Sequence, residues 1–290
     1  MSRNNSRGEL PSNMPVMDTE PPISAISAAP PQSPTFNWTV PTEIVQLPSR
    51  GLFYPAGHPL EGVTEIEMKY MTAKEEDILT SRSLLKQGIA LDRVVQNLII
   101  NPSIKVSDML VGDRNALVVA ARATGYGTDY TTKVTCPSCG TVGDFTFDIE
   151  DPQQVEFEEA MARNFVERTT NNTLKIFLPM SEVVVECKLL NTTDELQIFK
   201  ETERNTRKKL PEANSTGLFR NYIISVNGDN SPLSVISFIN SMPAKDARFL
   251  RITYAEVVPN IDLSQIYSCD GCNYEADMEV PLTSDFFWPR

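Results

Sequence analysis

Two pairs of cysteines have the residue type and the spacing needed to bind a metal ion. Cys136 and Cys139 form a C-x-x-C pair near the middle of the chain, and Cys269 and Cys272 form a second pair near its end. Together they supply four thiolates, which is the ligand set of a tetrahedral structural zinc site. A catalytic zinc ion keeps one position open for water or substrate, so four thiolates favour a structural role. We therefore predict one structural Zn²⁺ ion bound by these four cysteines.

The residues that follow each pair indicate how such a site is built. Gly140 and Asn273 come directly after the second cysteine of each pair, and these residue types tolerate a left-handed backbone best. Apolar residues then alternate with other residues at the same offsets from the cysteines, which is typical of β-strands. The alternating residues are Phe145, Phe147, Ile149, Met278, Val280 and Leu282. We predict two strand–knuckle–strand hairpins that share one metal ion.

Other uses of the cysteines are less consistent with the sequence. In thioredoxin-like proteins a C-x-x-C motif begins a helix, whereas strands are predicted to follow here. Disulfides are disfavoured because residues 1–8 lack the apolar segment of a secretory leader, and bridging such close cysteines gains little. We expect a reducing, cytosolic setting. The fifth cysteine, Cys187, is in phase with Val183, Val185 and Leu189, so we predict a small core residue.

Composition limits the classes of partner. The chain has 290 residues, of which 41 % are hydrophobic, and it contains no run of eighteen apolar residues that would span a membrane. Its formal net charge of −12 makes nucleic acid an unlikely partner in our interpretation, because a polyanion requires a basic surface. A basic cluster at residues 204–209 is interpreted as the solvated end of a helix, where cations offset the helix dipole.

The usual catalytic motifs are missing from the sequence. His58 is the single histidine and lies in a Gly-His-Pro turn, where we expect an exposed loop residue. One histidine so placed is incompatible with Ser-His-Asp and Cys-His catalytic groups. The chain also lacks a phosphate-binding loop, a nucleophile elbow and a dinucleotide fingerprint. We predict that the protein is not an enzyme.

The chain divides into five segments by composition. Residues 1–40 contain seven prolines and are predicted to be a disordered arm, with Phe36 and Trp38 as possible docking anchors. Residues 41–130 form an N-terminal α+β region, and 131–150 form the first half of the zinc ribbon. An inserted α+β region covers 151–259, and 260–290 form the second half of the ribbon. The predicted fold class is α+β, a mixed body of helices and short strands stapled by a discontinuous four-cysteine ribbon.

Local signals predict several elements of this body. Thr72 and Glu75 form a capping box that begins a helix ending at Gln87, and Asp113 is expected to cap a helix over 114–124. Thr192 and Glu195 are interpreted as a second capping box. The other predictions are a strand over Val63–Met71, helices over Gln153–Arg168, Gly217–Ser225, Leu233–Ser241 and Ala244–Val257, a hairpin of Leu174–Leu178 with Val183–Leu190, and a strand over Ile261–Tyr267.

Several motifs, taken in their order and spacing, resemble a known family. They are Leu47-Pro-Ser-Arg-Gly51 with Tyr54, Met71-Thr with Glu75-Glu-Asp-Ile-Leu79, Asp113-Arg with Leu117 and Arg122, Gly125-Tyr-Gly127, and the first cysteine pair. This set is similar to the baseplate hub and baseplate assembly proteins of T-even-like contractile-tailed bacteriophages (myoviruses). The resemblance covers about residues 43–150 and thins until Pro259 and the second cysteine pair.

The resemblance implies a non-enzymatic role in building the central hub of the tail baseplate. The implied partners are other tail proteins, namely the hub and the tape-measure protein, and the implied places are the host cytoplasm during assembly and the virion tail baseplate. One alternative is a transient tail-assembly chaperone that is absent from the mature virion. Another is a zinc-ribbon regulatory protein that binds a polymerase or nucleic acid.

Overall fold

Short strands alternate with helices along the chain, and the strands pair in small antiparallel sheets. The computed structural model describes residues 39–150, 152–208, 215–280, 282 and 284–287. The strands are β1 (Thr42–Gln46), β2 (Glu65–Lys69), β3 (Asp129–Thr135), β4 (Val142–Asp148), β5 (Gln153–Gln154), β6 (Glu167–Arg168), β7 (Leu174–Leu178), β8 (Val183–Cys187), β9 (Ile223–Val226), β10 (Ile261–Asp262), β11 (Ser264–Ser268) and β12 (Glu275–Glu279). The α-helices are α1 (Ala73–Thr80), α2 (Arg82–Gln87), α3 (Ala90–Leu98), α4 (Val111–Tyr126), α5 (Phe157–Arg163), α6 (Thr192–Arg207), α7 (Ser215–Tyr222), α8 (Pro232–Ser241) and α9 (Ala244–Val257).

This arrangement confirms the predicted mixed body of helices and short strands. The sheets are β1-β2, β10-β5, β11-β12, β3-β4 and the four-stranded β6-β7-β8-β9. The predicted arm lies outside the described residues except for its last two, and the division of the chain into five segments stays a prediction. In the described part of the chain, no helix combines the length and apolarity that crossing a membrane requires.

The capping box at Thr72 is confirmed, but the helix that it begins is shorter than predicted. Oε2 of Glu75 accepts hydrogen bonds from the Thr72 hydroxyl group at 2.6 Å and from the Thr72 N–H at 3.0 Å. The helix does not continue to Gln87, because the chain is extended at Ser81 (φ −67°, ψ 104°) and α2 begins after it. The Thr80 hydroxyl group donates to the carbonyl groups of Glu76 and Asp77. Such side-chain bonds compete with the backbone hydrogen bonds of a helix and weaken it.

Helix α4 differs from its prediction at its start. It begins at Val111 with Leu110 as the N-cap, so the prediction that Asp113 caps the helix is wrong. Asp113 lies inside the first turn, is fully buried and accepts hydrogen bonds from Ser49. Asp113 therefore accepts its hydrogen bonds from a residue that is distant in sequence, rather than from the first N–H groups of its own helix.

The stretch Gln153–Arg168 is not the single surface helix that its acidic residues suggested. Gln153–Gln154 pairs with β10, α5 covers only Phe157–Arg163, and β6 pairs with β7. The helix is short because Phe165 adopts a left-handed backbone with φ 53°, which ends it.

The four-stranded sheet contains one confirmed hairpin and one corrected helix. β7 and β8 pair as predicted, from Leu174↔Cys187 to Leu178↔Val183. The predicted helix over Gly217–Ser225 ends instead at Tyr222, and β9 then pairs with the free edge of β8. The residues Ile-Ile-Ser-Val of β9 suit a strand, and the open edge of β8 supplies the hydrogen-bonding partners.

The N-cap of helix α6 lies one residue earlier than the sequence predicted. Asn191 is the N-cap, and its side chain accepts from the Asp194 N–H at 2.8 Å. Thr192, the predicted cap, donates its hydroxyl group to the carbonyl of Met109 at 3.3 Å instead. The cap is thus set by where the neighbouring segment places its carbonyl group.

Of three further predictions, the one for Cys187 is confirmed, and those for His58 and for the strand before the second cysteine pair are corrected. Cys187 has no exposed surface, which confirms the predicted core residue. His58 is half-buried rather than exposed, because its ring stacks on Tyr54 with ring centroids 4.7 Å apart. The predicted strand over Ile261–Tyr267 is interrupted at Leu263, whose side chain is buried.

Candidate metal centre

The two cysteine pairs lie at the tips of two matching hairpins. β3 pairs with β4, and β11 pairs with β12, both in antiparallel register. Cys136 directly follows β3, and Cys269 directly follows β11. The predicted strand–knuckle–strand arrangement of both segments is confirmed.

The turns at the two tips have the same hydrogen bonds. The carbonyl of Cys136 accepts from the Gly140 N–H at 2.9 Å, and the carbonyl of Cys269 accepts from the Asn273 N–H at 2.8 Å. Each first cysteine also donates its own N–H, at 2.9 Å, to the carbonyl five residues later. Gly140 (φ 73°) and Asn273 (φ 54°) are both left-handed, as their residue types predicted.

The fold brings the four sulfur atoms together from both hairpins. Sγ of Cys136 lies 3.7 Å from Sγ of Cys272, and Sγ of Cys139 lies 3.7 Å from Sγ of Cys269. All four sulfur atoms lie within 4.8 Å of one another. A tetrahedron with metal–sulfur bonds of about 2.3 Å has sulfur–sulfur edges of about 3.8 Å. The cluster therefore has the size needed to hold a metal ion.

Side chains behind the knuckles join the two hairpins a second time. The ring of Phe145 on β4 meets the ring of Tyr267 on β11 edge to face, with centroids 5.2 Å apart. The Gln265 side chain accepts from the Asp148 N–H at 3.0 Å and donates to the Asp148 carbonyl. These contacts orient the hairpins so that their tips converge.

Local hydrogen bonds favour the thiolate form of two ligand candidates. Thr141, whose hydroxyl oxygen lies 3.2 Å from Sγ of Cys139, lowers the pKa of the Cys139 thiol to about 6. The backbone N–H of Gly271 lowers the pKa of the Cys269 thiol in the second knuckle. The Tyr274 backbone lowers the pKa of the Cys272 thiol, but hydrogen bonds with the neighbouring cysteines oppose this and raise the pKa to about 12. Thiolates are the form that binds a metal ion, so each turn favours that form at one of its two sulfur atoms.

Comparison with known proteins identifies the family. The family model described as "T4 bacteriophage base plate protein" matches residues 42–288, which is most of the chain. The chain belongs to the T4 base plate protein family. Searches of the curated proteins and of the solved structures find no significant match.

In this member of the base plate family, two of the motifs that carried the resemblance converge on one buried carboxylate. Asp113 accepts hydrogen bonds from the Ser49 hydroxyl group at 2.6 Å, from the Ser49 N–H at 2.9 Å and from the Tyr54 hydroxyl group at 2.7 Å. The Tyr54 oxygen in turn accepts from the Leu110 N–H at 3.0 Å. Burial raises the pKa of the Asp113 carboxyl group, although the hydrogen bonds from Ser49 and Tyr54 oppose the shift. We call these residues the Asp113 cluster: Ser49, Tyr54, Leu110 and Asp113.

A second buried charge of this base plate protein ties the chain's end to its centre. Arg122 on α4 donates to the carbonyl groups of Phe286 at 2.9 Å, Gly127 at 2.5 Å and Asp129 at 3.0 Å. Its guanidinium group also lies over the ring of Tyr126. Burial lowers the pKa of Arg122, but an arginine guanidinium group stays charged at neutral pH.

The sequence pattern identified the cysteines, but it predicted Asp113 as a helix cap and gave Arg122 no role beyond its place in a family motif. Asp113 and Arg122 both lie in α4, whose other buried residues are small or apolar. Charged residues among apolar ones in a helix are the available signal, because such groups are buried only when they are paired or hydrogen-bonded. Both groups hold the backbone of distant segments, so they stabilise the fold of this chain.

Proposed function

We propose that this chain is a non-enzymatic protein of the phage tail baseplate that takes part in assembling its hub. The family match over residues 42–288 carries this proposal. The partners are other tail proteins, the hub and the tape-measure protein, which it contacts through its surface. The sites of action are the host cytoplasm during assembly and the virion tail.

The buried polar groups support a structural role rather than catalysis. Asp113 has no exposed surface and accepts three hydrogen bonds from the protein itself, so it offers no open oxygen to a substrate. Arg122 is likewise occupied by three backbone carbonyl groups. His58 stacks on Tyr54, and its Nδ1 accepts from the Leu60 N–H at 3.1 Å.

We further propose that Cys136, Cys139, Cys269 and Cys272 bind one structural Zn²⁺ ion. Four thiolates complete a tetrahedral shell, so the ion would have no position for water or substrate. It would instead tie together hairpins whose cysteines lie 130 residues apart in sequence. The chemistry of the metal is thus that of a cross-link.

Elemental analysis of the purified full-length chain tests the metal. We expect about one equivalent of zinc, a Cys269→Ser variant that loses it, and a Cys187→Ser variant that keeps it. Cys187 is the matched control because it is a buried thiol in β8 rather than in either knuckle. Zinc-free protein, or zinc lost from Cys187→Ser alone, would contradict the assignment.

Quantitative mass spectrometry of purified virions tests the place of the protein. A fixed number of copies per tail supports a component of the baseplate hub. Complete absence from virions, together with failed tail assembly when the gene is removed, supports the transient chaperone. Normal infectious tails in the absence of the protein would refute both roles and favour a regulatory protein.

A further inference from the structure

Phe165 has two features that each reduce the stability of the isolated chain. Its side chain is 86 % exposed, the highest exposure of a large apolar side chain among the described residues. Its backbone is left-handed with φ 53°, a conformation in which a bulky residue is a true outlier. Such strain persists where the surrounding structure enforces it, and it gathers at functional positions.

The strain arises because Phe165 occupies the glycine position of a helix-ending turn. The Val166 N–H donates to the Met161 carbonyl at 2.9 Å, and the Phe165 N–H donates to the Ala162 carbonyl at 3.4 Å. These two bonds define the Schellman motif, in which glycine usually supplies the left-handed residue. This chain has a large aromatic residue at a position where the left-handed backbone favours glycine.

Neighbouring contacts hold this turn in place. The Asn164 side chain donates to the Ala160 carbonyl and to the Glu256 carboxylate, both at 3.0 Å. Arg163 donates to the same carboxylate at 3.0 Å, and Val166 is buried. The ring of Phe165 is therefore presented to solvent from a turn that is fixed on α9, which lowers the entropy lost on binding.

The surroundings of the ring indicate what it would contact. Ile252 lies one helical turn before Glu256 on the same face of α9 and is 46 % exposed, so the helix that fixes the turn carries a second exposed apolar side chain. The surface around the turn is acidic. Glu159 and Glu167 are exposed, whereas Glu158 is paired with Arg50 and Arg163 with Glu256. Exposed Arg168 donates to the Leu52 carbonyl, and residues 156–168 carry four carboxylates against two guanidinium groups.

We propose that Phe165 is the anchor of a docking surface for another protein of the tail. The ring enters an apolar pocket that has a basic rim, matching the acidic residues around the turn. A second copy of this chain is a poor occupant, because each copy carries a net charge of −12. This inference rests on the proposed role in the tail baseplate.

Replacing Phe165 by glycine separates docking from folding. Phe165→Gly relieves the backbone strain and removes an exposed ring, so we expect its melting temperature to rise by about 2–4 °C. Glu182→Gly is the matched control, since Glu182 is also exposed and left-handed with φ 55°. It should show a similar rise without affecting docking, while Phe165→Ala should lose docking without the rise.

Docking is measured by complementation. Cells that produce each variant are infected with phage lacking the gene, and the titre of plaque-forming phage is counted. We expect Phe165→Gly and Phe165→Ala to lower the titre by about tenfold or more, as for an aromatic hot spot, and Glu182→Gly to match wild type. A Phe165→Gly variant that complements as well as wild type, or one that melts at a lower temperature, overturns the proposal.

The same assay distinguishes failure of the inference from failure of the proposed function. If phage lacking the gene form plaques without any added chain, the baseplate role itself fails. If they require wild-type protein, a photo-reactive phenylalanine at position 165 identifies the contact. Cross-links to lysine- or arginine-containing peptides of another tail protein support the docking surface, and cross-links to a second copy of this chain overturn it.

Discussion

The hydrogen bonds of the Asp113 cluster allow the stability lost in a Tyr54→Phe variant to be estimated. Removing the hydroxyl group in Tyr54→Phe breaks the 2.7 Å hydrogen bond to Asp113 and the 3.0 Å bond from the Leu110 N–H. A buried hydrogen bond to a charged group contributes about 1.5–3 kcal/mol, and a buried N–H without a partner costs about 1–3 kcal/mol. Because Tyr54 is only 5 % exposed, water cannot readily replace the lost group. We expect the free energy of unfolding to fall by about 3–5 kcal/mol.

Urea unfolding of the full-length chain, followed by circular dichroism, measures this loss. Tyr126→Phe is the matched control, because it removes a tyrosine hydroxyl group whose 2.8 Å hydrogen bond to Glu76 is exposed to solvent, although the ring itself is partly buried. Surface changes of this kind usually alter stability by about 0.5 kcal/mol or less. Equal, small losses of unfolding free energy in both variants would contradict the stabilising role of the Tyr54 hydroxyl group.

Three further predictions concern α4. Burial raises the pKa of the Asp113 carboxyl group, so the folded state binds this proton more tightly than the unfolded state. The contribution of Asp113 to stability is therefore greatest below about pH 3.9 and is lost as the pH rises through the raised pKa, and Asp113→Asn should remove that slope from urea unfolding measured across pH. Arg122→Lys should lower the free energy of unfolding by about 2–4 kcal/mol and speed hydrogen exchange around Phe286, because lysine cannot reproduce a fork that reaches three carbonyl groups. Gly112→Ala should cost about 3 kcal/mol or more in thermal or urea unfolding, since its Cβ would lie 2.0 Å from the Pro259 carbonyl oxygen.

Features with a local cause could be predicted from the sequence. The capping box at Thr72 needs only a residue three positions later, and the hairpin of β7 and β8 follows from alternation on either side of a turn. The left-handed turns at Gly140 and Asn273 also follow from residue type. In each case the decisive partners lie within a few residues of one another.

Elements that depend on a distant partner could not be assigned in the same way. The segment Ile223–Val226 becomes a strand because the edge of β8 is available to it. Thr192 leaves the capping position because the Met109 carbonyl accepts its hydroxyl group. Asp113 has a sequence position suited to a cap, yet Ser49 and Tyr54 provide its partners.

The site formed by the four cysteines depends both on local sequence signals and on long-range packing. The C-x-x-C spacing and the matching flanks determined the ligand candidates and the shape of each knuckle, because those depend on adjacent residues. The tertiary structure decided that Cys139 and Cys269 stand 3.7 Å apart across 130 residues of chain. Closing such a loop costs about 5 kcal/mol of chain entropy by analogy with a disulfide, so the packing of Phe145 on Tyr267 and the bonds of Gln265 to the first hairpin must bring the tips together. Local pattern therefore specified each half of the site, and only long-range packing could specify their meeting.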